Sequence, residues 1–213
     1  MSASPAQAAG PTIARVALLA LTVVIGACAT APSAPPPMER GTALGRWLDR
    51  QQRLAALVHW ALQGRVGIET GKDSGHASMS WEQNGENYAI RISAPMSQGT
   101  FELKGGAAGV TLRGPDNREV AAADPQALMQ EQLGWSLPVA GLKYWIRGIP
   151  VPNRPVAAVR LDDAGRLSDL EQDGWRVSVQ RYKTVGGEEL PDKIFMENAP
   201  LKMRVVIGEW QLP

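Results

Sequence analysis

The apolar positions of this chain change period three times. From Leu44 to Val58 they recur at three- and four-residue spacing, as Leu44, Trp47, Leu48, Leu54, Ala55 and Val58, with Arg46, Asp49, Arg50 and Arg53 elsewhere on the turn. That spacing predicts an amphipathic helix whose apolar set faces a core. The period then falls to two. Trp60, Leu62, Val66 and Ile68 share one parity against Gln63, Arg65 and Glu69; Ala77, Met79 and Trp81 alternate with Ser78, Ser80 and Glu82; Tyr88, Ile90 and Ile92 with Ala89, Arg91 and Ser93. Phe101 and Leu103, then Val110 and Leu112, continue the pattern against Glu102, Lys104, Thr111 and Arg113. Gly71-Lys72-Asp73-Ser74-Gly75, Asn84-Gly85-Glu86-Asn87, Gly105 to Gly109 and Gly114-Pro115-Asp116-Asn117 break the runs with turn chemistry, so this stretch reads as a meander of short antiparallel strands.

The helical period returns in the middle. Asp124-Pro125 has the form of an N-cap followed by proline at the first helical position, predicting a helix over Pro125 to Leu133 ended by Gly134. Val139, Leu142, Trp145 and Ile146 then share a helical face, stopped by Gly148 and Pro150. Beyond it strands are expected near Val156–Leu161, Leu167–Gln172, Trp175–Tyr182, Asp192–Glu197 and Leu201–Trp210, with turns at Asp162 to Gly165, Asp173-Gly174 and Gly186-Gly187. One helix, about six strands, two helices and about five strands make an α+β fold around an antiparallel sheet of about 11 strands. A sheet this long curls, and helices can roof its concave face.

The residues before the first helix are of a different kind. Arg15 precedes an apolar run, Val16 to Ile25, and small residues follow. This is the pattern of a secretory signal, its run shorter than the roughly 20 residues a membrane-spanning helix needs. It ends in Ile25-Gly26-Ala27-Cys28, which resembles the lipobox of bacterial lipoproteins, in which the chain is cut before the cysteine and acylated on it. Residues 1–27 are therefore expected to be a lipoprotein signal peptide and Cys28 the lipidated residue. Residues 28–42 follow as a tether holding Pro32, Pro35, Pro36 and Pro37, and residues 43–213 as one domain. Ala29, where aspartate would favour inner-membrane retention, points to the outer membrane. Cys28 is the sole cysteine, so the fold uses no internal disulfide.

Charge removes further classes. Lys+Arg number 22 against 21 Asp+Glu, and loss of residues 1–27 removes only Arg15, leaving a near-neutral domain with no basic field for nucleic acid. His59 and His76 have no partner at metal-ligand spacing, no nucleophile elbow, P-loop or dinucleotide fingerprint occurs, and the Asp162-Asp163 and Glu188-Glu189 pairs fall in turns. No catalytic residue, metal or cofactor is expected. The chain is instead rich in soft apolar groups, with seven Trp and seven Met against two Phe, side chains suited to a core or to flexible apolar ligands.

Four stretches resemble the LolB family of outer-membrane lipoprotein receptors, over about Trp47 to Leu212. They are Gly64-Arg65-Val66-Gly67; Ser93 through Leu103, like the family's P-L-G loop and following strand; Leu137-Pro138-Val139 through Trp145-Ile146-Arg147-Gly148-Ile149-Pro150, like its L-P-x-x-x-L-x-x-W-I-x-G-x-P run; and Lys202 through Trp210, like its last strand. The third is the most specific. The resemblance implies an unclosed antiparallel half β-barrel with a helical lid over an apolar cavity. It also implies receipt of lipoproteins from a LolA-like periplasmic carrier and their insertion into the inner leaflet of the outer membrane, by a monomer anchored through its N-terminal lipid. A soluble LolA-like carrier, and a structural or assembly-machine lipoprotein with a filled interior, are the other readings. On the family pattern Pro95 and Met96 hold the place of a membrane-insertion loop, Met96 standing for its leucine and Ser97 for its glycine. The inward parity and the roof nominate Leu62, Val66, Met79, Trp81, Ile90, Ile92, Leu142, Trp145 and Ile146 as the acyl-chain lining.

Overall fold

The computed structural model describes residues 42–71, 73–93, 99–133 and 138–213. Helix α1 (Ala43–Ala56) opens the domain, capped by Thr42, whose Oγ1 accepts from the Gly45 N–H at 3.0 Å. Six strands follow: β1 (His59–Glu69), β2 (Ser74–Asn84), β3 (Asn87–Ser93), β4 (Thr100–Gly106), β5 (Gly109–Arg113) and β6 (Glu119–Ala122). Then come helices α2 (Pro125–Leu133) and α3 (Val139–Trp145), and strands β7 (Val156–Leu161), β8 (Leu167–Gln172), β9 (Trp175–Val185), β10 (Glu188–Asn198) and β11 (Leu201–Gln211). All 11 strands join one antiparallel sheet in the order β6-β5-β4-β3-β2-β1-β11-β10-β9-β8-β7. The sheet is not closed: β6 and β7 are its two edges, as far apart in the order as strands can be. The α+β half-barrel expected from the sequence is present. As predicted, Asp124 caps α2, its Oδ1 accepting from the Gln126 N–H at 2.9 Å.

Period two puts one face of each strand inside. Trp60, Leu62 and Val66 of β1, Met79 and Trp81 of β2, Ile90 of β3 and Leu103 of β4 are all buried. The two meanders meet where β1 pairs with β11, and there the register shifts. Glu209 faces Gln63 while Ile207 faces Gly64, so Gly208 is the extra residue of a bulge. Leu201, Met203, Val205 and Ile207 point inward on odd numbers, and after the bulge Trp210 points inward on an even one. Gly64 is required at this joint, because a Cβ there would collide with the Val206 carbonyl oxygen.

Three expectations are corrected. Helix α1 ends at Ala56, not Val58, and is rotated: Trp47, Arg50 and Leu54 are buried while Leu44, Leu48 and Val58 are exposed. Arg50 turns inward because its guanidinium reaches the Glu189 carbonyl and lies 5.2 Å from the Tyr182 ring centroid, so the buried face follows partners rather than hydropathy. Strand β10 begins at Glu188, four residues before the expected start. Pro191 hid that stretch, being a residue that central strands avoid; it is accommodated by a register shift beside it. Strand β9 likewise runs on to Val185 rather than stopping at Tyr182.

Strand direction defines two ends. The β7–β8 turn, the β2–β3 turn and the start of β10 lie at one end, and α1 covers it. Arg46 donates to the carbonyls of Ala164 and Asp163 at 3.1 and 2.8 Å, Arg53 pairs with Glu188 at 2.9 Å, and Gly85 donates to the Val58 carbonyl at 2.9 Å. At the other end stand the β1–β2, β8–β9 and β10–β11 turns, with Ser93 and Thr100, which flank the β3–β4 connection.

Candidate functional site

The nine proposed lining residues come together in one hydrophobic cluster. Trp81, Trp145 and Ile146 are fully buried, Leu62, Val66, Leu142, Ile90 and Met79 nearly so, and Ile92 is partly buried against them. Strands β1 to β3 contribute one wall and α3 the roof. Methylene-rich side chains fill the space between them: none of the nine lines the cavity described below.

The roof is pinned by polar groups set inside this apolar volume. Gln172 at the end of β8 accepts from the Trp145 indole at 3.0 Å and the Val151 N–H at 2.8 Å, and returns a bond to the Val151 carbonyl at 3.1 Å. Gln83 does the same for the wall, accepting from Trp81 at 3.0 Å and donating to the Gly85 and Asn87 carbonyls. Trp210 donates to the Pro191 carbonyl at 2.9 Å. Arg147, directly after α3, is buried and reaches α1: it donates to the carbonyls of Leu54 and, at 2.7 Å, Leu57, and back to Lys143 at 2.8 Å. Its guanidinium lies 5.1 Å from the Tyr144 ring centroid and 5.9 Å from that of Trp60, and burial pushes its pKa down to about 10. The roof is thus tied at one point to the sheet and at another to the end-covering helix. Trp60 packs between Trp81 and Trp210, with ring centroids at 5.2 and 5.5 Å, and its indole N–H has no acceptor among the described residues.

At the end away from α1 a cavity of about 940 Å³ opens between α2, the start of α3 and the β1–β2, β8–β9 and β10–β11 turns. Val139, Trp175 and Leu201, all core residues, form its floor. Trp175 is 5.9 Å from Trp145 between ring centroids, so the cavity leads directly to the packed interior. Its volume is within the range of about 300–1,000 Å³ usual for ligand sites. Sequence reasoning missed this mouth, whose lining comes from six separated stretches with no shared period. It also missed Gln83 and Gln172 as pins, although Gln83 continues the inward parity of Met79 and Trp81 and was readable on that ground.

Cys28, Pro95 and Met96 lie outside the described residues. His59 and His76 are exposed on β1 and β2. Asp162 closes its turn, accepting from the N–H groups of Ala164 and Arg166 and pairing with the Arg166 guanidinium at 2.7 Å. Glu188 and Glu189 pair with Arg53 and Arg166. Glu188 and Glu189, expected in a turn, open strand β10 instead, and these carboxylates are structural.

An open antiparallel sheet whose apolar inner face is roofed by helices is a fold shared with solved structures. A LolA superfamily protein from Nitrosomonas europaea shares the fold at a TM-score of 0.53 and 9% identity, over 80% of this chain and 93% of that one. A DUF1329 family protein from Desulfovibrio piger shares it at 0.52 and 8%, over the same shares. Sequence narrows the class. Residues 58–210 match the model of the family described as outer membrane lipoprotein LolB. The outer-membrane lipoprotein LolB of Nitrosococcus oceani is 40% identical over 166 residues, 78% of this chain and 83% of the relative; that of Pseudomonas savastanoi pv. phaseolicola is 35% identical over 196 residues, 92% and 95%. This chain belongs to the LolB family.

Proposed function

We propose that this chain is a lipid-anchored receptor of the outer membrane that takes lipoproteins from a LolA-like periplasmic carrier and places them in the membrane's inner leaflet. The observation that carries this reading is the family match across a domain whose apolar inner face is roofed by α3. Residues 1–27 act as the lipoprotein signal, Cys28 carries the lipid, residues 28–42 form the tether, and the domain works as a monomer. No catalytic residue, cofactor or metal is needed. Each buried methylene is worth about 0.8 kcal/mol, so a 16-carbon chain leaving water gains about 12 kcal/mol, and an acylated protein crosses the periplasm only in an apolar shelter. Direction follows from rising affinity along carrier, receptor and membrane.

The packed interior is also what a structural lipoprotein would have, so acceptance of cargo requires side chains to yield. Met79, Met196 and Met203 with the indoles supply that softness. The nine proposed lining residues are the surface that meets the acyl chains, and Met96, in the connection between β3 and β4, acts in delivery. The test is to mix the protein with carrier-bound lipoprotein and then with liposomes. Met96→Glu is expected to accept cargo and fail to release it to liposomes, and Met96→Leu to do both. Failure of the unaltered protein to take cargo overturns the reading; normal release by the glutamate variant, or loss of acceptance together with thermal stability, overturns the role of Met96.

A further inference from the structure

The mouth cavity carries an unusual balance of charge for a place where lipid head groups arrive. Its only cation among the described lining residues is Arg154, and that guanidinium is already paired with Asp173 at 3.1 Å. The remaining charged side chain is Asp124, whose carboxylate caps α2. The described lining therefore holds one negative charge in excess. The other polar groups there are neutral amides and a hydroxyl, from Gln126, Gln130, Asn198 and Thr70, set above the apolar floor.

We propose that this cavity is a head-group filter: it receives the uncharged glyceryl–cysteine junction of an acylated protein and rejects the phosphate of a phospholipid with the same acyl chains. The inference rests on the lipoprotein-receiving reading above and adds its specificity. Both lipids offer two ester-linked chains to the interior. They differ at the point that must sit in the mouth. A lipoprotein presents a thioether sulfur, ester and amide carbonyls and a peptide, all satisfied by neutral donors such as the two glutamines and Asn198. A phosphodiester brings a full negative charge into a partly enclosed place next to two carboxylates, with the single arginine already taken. Desolvation removes the phosphate's water, and the neutral amides that replace it supply hydrogen bonds but no opposing charge. A receptor anchored in a membrane is surrounded by phospholipid in vast excess, so discrimination at the mouth is what keeps its interior free for cargo.

The test adds charge without touching the floor. Gln126 and Gln130 are exposed on α2, one turn apart, and lysine is as good a helix former as glutamine, so Gln126→Lys with Gln130→Lys leaves the fold in place. The detergent-solubilised full chain, unaltered or doubly substituted, is titrated with brominated-chain phosphatidylglycerol and with a brominated-chain triacyl-cysteinyl peptide. Quenching of the interior tryptophans reads binding. The unaltered protein is expected to prefer the peptide. The lysine pair should narrow that preference by roughly fivefold or more, the gain expected for one to two cations near an anionic group, with tighter phosphatidylglycerol binding as its signature, since the lysine ammoniums still donate to the peptide's carbonyls in place of the two amides. Equal affinities in the unaltered protein, or an unchanged ratio in the variant, overturn the filter. Quenching by neither lipid overturns the acyl-binding reading itself, a distinct result.

Discussion

Three indoles of the interior, those of Trp81, Trp145 and Trp210, each have an acceptor, and the glutamine that serves Trp145 also serves a backbone. Replacing Gln172 by leucine keeps the volume but strands the buried Trp145 indole and the part-buried Val151 N–H, the second at the lower end of the cost. Each unsatisfied donor costs roughly 1–3 kcal/mol, so Gln172→Leu is expected to lower stability by about 2–4 kcal/mol, read as the shift of the urea midpoint. Tyr182 contributes stability that is lost at alkaline pH. Its hydroxyl donates to the Leu167 carbonyl at 2.6 Å, and burial raises its pKa well above the ordinary 10, with Arg50 and Arg166 pulling the other way. Above pH 10 the unfolded chain releases a proton that the folded one keeps. The native state then binds more protons, and stability falls as pH rises, by up to about 1.4 kcal/mol per unit for one such group. Below that range the contribution is complete. Arg147, lowered to about 10, works in the opposite sense, since its folded form sheds its proton first. The difference between the protein and Tyr182→Phe isolates the phenol. The variant should show a flatter decline of the urea midpoint between pH 9 and 11, and parallel curves would refute the assignment.

At the scale of elements, alternation decides which residues meet a ligand. A photo-crosslinker at Met79 or Ile90 is expected to capture lipoprotein in cells, and one at Ser80 or Arg91 on the outward parity to capture none; capture from the outward positions alone would mean the ligand lies on the other face of the sheet. Much of this was readable beforehand. The ends of β7 and β8 agree with the sequence expectation, because the turns at Asp162 to Gly165 and Asp173-Gly174 bound them. The failures have physical causes. Helix α1 turns a charged residue inward because Arg50 finds a carbonyl and an aromatic face across the fold, and no local pattern reports a partner 139 residues away. The inward turn of Trp210 depends on one extra glycine in β11, visible only once the strand is paired. Of the candidate site, the walls were legible as parity and the roof as a helical face. The mouth was not, being assembled by turns and helix ends from both halves of the chain.

For the molecule as a whole, the proposed function separates shelter from anchorage. The apolar interior belongs to the folded domain and the proposed lipid to Cys28, so Cys28→Ala should leave cargo binding intact while yielding a protein that is soluble or held only by its uncut signal. Fractionation, together with pull-down of carrier-delivered lipoprotein, checks both halves, and loss of binding in the variant would show that the anchor takes part in reception. The two free edges of the sheet, β6 and β7, have a mechanical consequence of their own. In a closed barrel, strand number and stagger set the radius, and it changes only by breaking ladder hydrogen bonds. Here β6 and β7 share no ladder. The wall can uncurl by small changes of twist spread over ten strand pairings, and every backbone bond survives. On the proposed reading such a container is expected to act as a spring rather than a bottle, its capacity following the bulk of what enters and its recoil helping to expel the contents once a lower-energy home is within reach.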